Sequence, residues 1–239
     1  MVTSPSPAEI TEFAAARARV LATIADACAR VGRDPAGVTL VAVSKTVAPD
    51  RLVAAVAAGL TVLGENRVQE AEAKVDAVPG ATWHLVGPLQ SNKAKRALAT
   101  FAVIESVATF ELAERLDRLA GEVRPRALLP ILLQVNVDAD SSKSGFDPEA
   151  LERGLPALDA CAGLDITGLM TVGRLADDPA AARPTFIALR RLSERLRLRW
   201  AGLGPELSMG MSDDYPIAIE EGATIVRVGR AIFGDRPHP

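Results

Sequence analysis

The 239-residue chain has few of the side chains that usually carry chemistry or staple small folds. Its two cysteines, Cys28 and Cys161, are far apart and in no C-x-x-C spacing. That excludes a disulfide scaffold and a cysteine-built zinc site, and it fits a reducing compartment. There is one tyrosine, Tyr215, and there are two histidines, His84 and His238. Only five of the 27 basic residues are lysines: Lys45, Lys74, Lys93, Lys95 and Lys143. This scarcity shortens the list of possible acids, bases and nucleophiles. Positive charge is not in excess, with a net charge of −3, so a nucleic-acid partner is not expected. No stretch approaches the roughly 18 apolar residues of a membrane span. The first seven residues hold no Lys or Arg ahead of an apolar core, so no signal peptide is expected either. A cytoplasmic location, with no membrane partner, follows as the expectation. What the chain does have is 49% hydrophobic residues, enough to bury a core without disulfide or metal.

The pattern predicts a helix over about 7–31, from apolar residues at three- and four-residue spacing before Gly32. Strands are then expected at Val38–Ser44, Leu60–Leu63, Thr82–Val86, Phe101–Ile104, within Leu128–Val137, and at Leu164–Met170, Glu206–Met209 and Thr224–Val228. Helices are expected between them, over Pro49–Gly59, Glu65–Ala77, Ser91–Ala99, Thr109–Ala120, Asp147–Cys161, Asp178–Trp200 and Asp213–Glu221. Strict alternation implies a parallel sheet with right-handed crossovers. Eight repeats in this length fit an α/β class fold, a single (β/α)8 TIM-type barrel over about 38–234 with an extra N-terminal helix. The rival is a doubly wound open sheet, but no G-x-G-x-x-G follows the first strand. No composition shift marks a second domain, so 1–239 reads as one unit.

In such barrels the active face is the C-terminal end of the strands. Lys45 is the lysine that directly follows an apolar strand, between Ser44 and Thr46. Desolvation or a nearby cation makes a lysine amine nucleophilic, and its chemistry is imine formation with a carbonyl. The alternative is a surface lysine at a loop start. Ser208, Gly210, Ser212 and Gly229 belong to the loops after strands seven and eight, where these barrels commonly bind phosphate. The alternative is plain turn chemistry. A lysine and an anion cradle at one mouth would suit pyridoxal 5′-phosphate (PLP) or a phosphorylated sugar. Arg227, inside an apolar strand, either pairs with Glu65 or Glu105 or donates to a ligand ring nitrogen. His84 reads as a satisfied strand-end histidine with no evident acidic relay, and Lys143 as a solvated loop lysine and the second choice for imine formation. The arginines 190, 191, 195, 197 and 199 read as one solvated helix face. No metal site is expected.

Several blocks together resemble the pyridoxal phosphate homeostasis protein family. They are Ala42-Val-Ser-Lys-Thr46, Gly64-Glu-Asn-Arg-Val-Gln-Glu70, Trp83-His-Leu-Val-Gly-Pro-Leu-Gln-Ser-Asn-Lys93, Lys143-Ser-Gly145, Gly168-Leu-Met170, Leu207-Ser-Met-Gly-Met-Ser-Asp-Asp214, Val226-Arg-Val-Gly229 and Ala231-Ile-Phe-Gly234. The resemblance runs from about residue 40 to 234. It implies a barrel similar to the N-terminal domain of bacterial alanine racemase, without that enzyme's second domain. It implies PLP held covalently as a Schiff base on Lys45, Asn66 near the ring's O3′, and Arg227 at the pyridine nitrogen. Phosphate contacts would come from Ser208 and the backbone of Gly229 and Arg230. Arg230 departs from the small hydroxyl residue usual in the family. The implied role is to carry or buffer PLP and maintain vitamin B6 homeostasis, with PLP-dependent apo-enzymes as partners and no catalytic residue. The alternative is a PLP-dependent racemase. A monomer is expected, because the dimer-building domain of the racemases is missing.

Overall fold

The computed structural model describes residues 5–173 and 178–234; the extreme ends of the expected unit, including His238, lie outside the described residues. Ser6 opens the chain's first helix. Its hydroxyl accepts from the Glu9 N–H and donates to the Glu9 carboxylate, a capping box ahead of α1 (Pro7–Arg30). There follow β1 (Thr39–Val43), α2 (Pro49–Ala57), β2 (Val62–Glu65), α3 (Val68–Glu72), β3 (Thr82–Leu85) and α4 (Ala94–Thr100). Then come β4 (Val103–Val107), α5 (Phe110–Val123), β5 (Leu129–Gln134), α6 (Pro148–Arg153), α7 (Leu155–Asp159) and β6 (Leu164–Met170). The chain continues through α8 (Arg183–Arg197), β7 (Glu206–Ser208), α9 (Tyr215–Glu220), β8 (Ile225–Val228) and α10 (Arg230–Phe233).

The eight strands are parallel and close on themselves in sequence order, β8 pairing back onto β1 through Val41 opposite Arg227. This is the expected (β/α)8 barrel. Side chains alternate between lumen and helix layer along each strand. A small lumen cluster of Val41, Leu132, Met170 and Ile225 plugs the barrel. The larger apolar cluster lies between strands and helices. The extra helix α1 packs on α2, α9 and α10 and buries Phe13, Val20 and Ile24. Arg33, just past it, donates to the Ile219 and Ala223 carbonyls at 2.6 and 2.9 Å, which satisfies acceptors at and beyond the C-terminal end of α9.

Several expected boundaries shift, four of them with a bearing on the site or the packing. Strand β2 lies two residues later than predicted, and β4 runs on to Val107, so Glu65 and Glu105 stand inside strands rather than after them. The helix expected over 147–161 is two short helices broken at Gly154. A Cβ at Gly154 would fall 2.0 Å from the Phe110 ring, so α5 leaves room there only for glycine. The start of the helix expected from Asp178 is a 3₁₀ turn over Pro179–Ala182, capped by the Asp178 carboxylate, before α8 proper.

Candidate functional site

At the C-terminal ends of the strands a cleft of about 790 Å³ opens between the loops after β1, β2, β3 and β8 and the loop joining β7 to α9. Lys45, Asn66, Arg227, Gly229 and Arg230 all line it, together with Arg51, Met211 and Ser212.

Lys45 is set by a tight turn. The Val47 N–H donates to the Ser44 carbonyl at 3.0 Å, so Lys45 and Thr46 are the two central residues. Thr46 has φ +67°, a left-handed value that this turn position normally gives to glycine. Behind the turn, buried Lys74 donates to the Ser44 carbonyl at 3.0 Å and to Glu65 Oε1 at 2.7 Å. The Ser44 hydroxyl donates to the same oxygen at 2.8 Å. Glu65 faces the helix layer: its neighbour Gly64 faces the lumen side chains of Val41, Val43 and Val86. Glu65 Oε2 is buried with no hydrogen-bond partner. Burial raises the Glu65 carboxyl above its ordinary value, against the opposing pull of Lys74 and Ser44. Asn66 follows β2 and is held by a close approach of backbones. A Cβ on Gly87 would lie 2.4 Å from the Asn66 carbonyl oxygen, so the β3 loop can pass there only as glycine.

The cleft floor is a charged network inside the lumen. His84 Nδ1 and Glu105 Oε1 are 2.6 Å apart. The Ser208 hydroxyl donates to Glu105 Oε2 at 2.5 Å and accepts from Arg227 Nη1 at 2.5 Å. Arg227 Nη2 donates to the Thr171 carbonyl at 2.7 Å. Burial pushes Glu105 up, but the bond and charge of His84, the Arg227 charge and the Ser208 hydroxyl outweigh it and hold the carboxyl below its ordinary value. Burial lowers Arg227, opposed by Glu105 and Asp214. A guanidinium nevertheless stays charged in proteins.

The far rim is built by the loop between β7 and α9. Gly210 turns it at φ +92°, and a Cβ there would fall 2.6 Å from Ala218. Asp214 accepts from the Met211 N–H at 2.6 Å and fixes the loop. Burial raises its carboxyl, against that backbone bond and the Arg227 charge. The Gly229 N–H donates to the Ser212 hydroxyl at 3.2 Å, and Arg230 pairs with Asp213.

Five of the six expected site residues therefore share one cleft. Ser208 does not line it; its hydroxyl is fully buried and committed between Glu105 and Arg227, and Ser212 is the serine at the rim. Arg227 reaches Glu105 through that serine, while Glu65 is occupied on the other side of the barrel wall. His84 does have an acidic partner. The sequence offered a faint signal for it, a His and a Glu near the ends of neighbouring strands. Lys143 is not a solvated loop residue. It is tied to Asp138 and to the Val172 and Gly173 carbonyls, and it lines a separate hollow of about 400 Å³ with Gln134 and Gly145. Tyr215 is buried and does not line the main cleft. Among the described residues no cluster could hold a metal ion, and no helix is long and apolar enough to cross a membrane.

Residues 19–237 match the family model described as alanine racemase, N-terminal domain. The pyridoxal phosphate homeostasis protein of Aquifex aeolicus is 37% identical over 222 residues, covering 92% of this chain and 96% of that protein. The protein of that name from Pseudomonas aeruginosa is 43% identical, covering 92% and 94%. The structure of PipY from Synechococcus elongatus, solved with PLP bound, superimposes with a TM-score of 0.78 at 42% identity, covering 88% of this chain and all of that one.

Proposed function

The chain belongs to the alanine racemase N-terminal-domain family and, within it, to the pyridoxal phosphate homeostasis proteins; from that premise we propose that it carries PLP as a Schiff base on Lys45 and so buffers the vitamin B6 pool. The observation that carries the assignment is the meeting of Lys45, Arg227 and the Gly229 rim in one cleft.

The residues present fit the group. The cleft's volume lies within the ~300–1,000 Å³ usual for small-ligand pockets. Its donors match a phosphorylated heteroaromatic aldehyde: an amine on one wall, a fixed guanidinium in the floor, and backbone N–H groups with a serine hydroxyl on the rim. When bound, PLP supplies an aldehyde that condenses with an amine. Lys45 offers that amine at the end of β1. Arg227, held by Ser208 and the Thr171 carbonyl, lines the cleft as a permanent cation; it would meet the ring nitrogen and keep a proton off it. That disfavours use of the ring as an electron sink. The backbone N–H groups of Gly229 and Arg230, with the Ser212 hydroxyl, would hold the phosphate, and the Arg230 side chain, paired with Asp213, would add positive charge beside it. Asn66 approaches the O3′ side. Racemisation would need a second base opposite Lys45; the carboxylate lining the cleft is Asp213, which is paired with Arg230. Carriage, rather than turnover, is the reading this set favours. PLP-requiring apo-enzymes in the cytoplasm are its natural recipients, and the protein acts as a monomer.

The test is borohydride reduction of the PLP-loaded protein followed by peptide mapping. A reduced pyridoxyl group on Lys45 is expected; a label on Lys143, or none, defeats the assignment.

A further inference from the structure

Lys74 lies outside the cleft, yet it is almost fully buried and makes two strong hydrogen bonds. Neither a packing role nor surface charge accounts for that placement. Its ammonium bonds the Ser44 carbonyl at 3.0 Å and Glu65 Oε1 at 2.7 Å, and Glu65 Oε1 takes the Ser44 hydroxyl at 2.8 Å. Both polar atoms of Ser44 beyond its N–H are thus gripped from the helix side. The N–H itself donates to the Gly64 carbonyl at 2.9 Å. Ser44 is the first residue of the turn whose second is Lys45 and whose third, Thr46, is β-branched at φ +67°. A β-branched residue in that region is strained, and such strain persists only where the surroundings over-determine it. The surroundings here are the Lys74–Glu65 pair. Burying it is costly, and well-packed apolar residues would serve stability as well or better. Its retention beside a strained turn therefore points to geometry rather than to stability.

We propose that Lys74 and Glu65 are positioning residues that clamp the Ser44–Val47 turn and thereby aim the Lys45 amine into the cleft. The pair acts from behind the barrel wall and touches no ligand. The strained Thr46 is the other half of the device: it directs the chain away after Lys45 so that the side chain stays on the lumen side. This inference rests on the assignment of Lys45 as the imine-forming residue.

Two variants test it: Lys74→Met combined with Glu65→Leu, which removes both charges together, and Lys74→Gln, which keeps a donor near Glu65 but withdraws the ammonium from the Ser44 carbonyl. Three readouts are taken on each: the thermal midpoint, the rate of imine formation on adding PLP, and acylation of Lys45 by acetic anhydride relative to exposed Lys95. The expectation is imine formation slowed about tenfold, within the range that small misplacements of a reacting group produce, with Lys45 acylated faster than in the unaltered protein. An amine that is present but misaimed gives that split, and general loosening of the fold is registered separately by the midpoint. Imine formation within twofold of the unaltered protein overturns the proposal. So does a parallel loss of acylation, which would mean a changed amine rather than a changed direction. If the double variant does not fold, Lys74→Gln decides alone. A borohydride label away from Lys45 in the unaltered protein would defeat the imine assignment separately. The Lys45 to Lys95 acylation ratio would then remain the measure of the clamp, and a ratio unchanged in both variants would end it.

Discussion

Glu65 and Glu105 are both fully buried near the C-terminal ends of strands, one on each side of the same barrel wall, and they hold protons in opposite ways. Glu65 faces the helix layer and gathers Lys74 and Ser44 on a single oxygen, leaving the other without a donor. Glu105 faces the lumen with one oxygen on His84 and the other on Ser208, and the Arg227 charge stands behind that serine. Burial raises the first above its ordinary value, and the partners carry the second below. Depth inside the protein therefore does not decide ionisation here. The distribution of donors over the two oxygens does.

The strongest way to break this comparison is to make the same change in both places. In Glu105→Gln one amide group must replace two acceptor oxygens between His84 and Ser208, and Arg227 loses one of its two buried acidic neighbours, Asp214 remaining. Denaturant unfolding should show a loss of about 3–5 kcal/mol. In Glu65→Gln the carbonyl oxygen still accepts from Lys74 and Ser44, and the orphan oxygen becomes the NH₂. The Lys74 ammonium loses its counter-charge and the NH₂ is buried without an acceptor, yet both hydrogen bonds to the carbonyl survive, so the loss should be about 2–3 kcal/mol. Equal losses would show that the two carboxylates are alike.

Acid titration sharpens the contrast. Between the depressed value of Glu105 and its ordinary 4.5, the unfolded chain binds a proton that the folded one refuses. Stability should therefore fall as pH drops through that window, and Glu105→Gln should flatten this limb. Glu65 has the opposite sign: its raised carboxyl keeps its proton in the fold, so its contribution declines as pH rises from the ordinary value through the raised one. Urea midpoints measured along a pH series, in each Gln variant, separate the two slopes.

The smallest effect belongs to the rim. Arg230 and Asp213 are both more than half exposed, so Arg230→Ala should change stability by less than about 1 kcal/mol. PLP affinity, followed by spectroscopic titration, should weaken several-fold and become less salt-sensitive if the proposed contribution of this charge to phosphate binding holds. An unchanged affinity would place this side chain outside the contact.

The contrast also explains what could be read in advance. The alternation of apolar runs with amphipathic helices was enough for the barrel, because burial on both faces gives strands an unbroken apolar signature. The same reading stopped β2 before Gly64 and β4 before Glu105, and so put Glu65 at the head of a helix and Glu105 past the end of a strand. Nothing local says that a carboxylate inside a strand will be met by a lysine nine residues on, or by a serine from the other side of the lumen. Lys45, Arg227 and Gly229 were legible because strand ends of a parallel barrel share one face, whereas Asn66 came only with the family resemblance. Ser208 shares that face too, but its depth along β7 decides that it serves the floor and leaves the rim to Ser212.

The floor draws on four staves of the barrel, β3, β4, β7 and β8, joined from His84 through Glu105 and Ser208 to Arg227. Two residues earlier on β8, Ile225 belongs to the apolar plug. A guest settling into the mouth thus rests on dipoles locked in place above an oily stopper. Those dipoles are held by one another and by the Thr171 carbonyl, so a guest's charges meet a field set before it arrived.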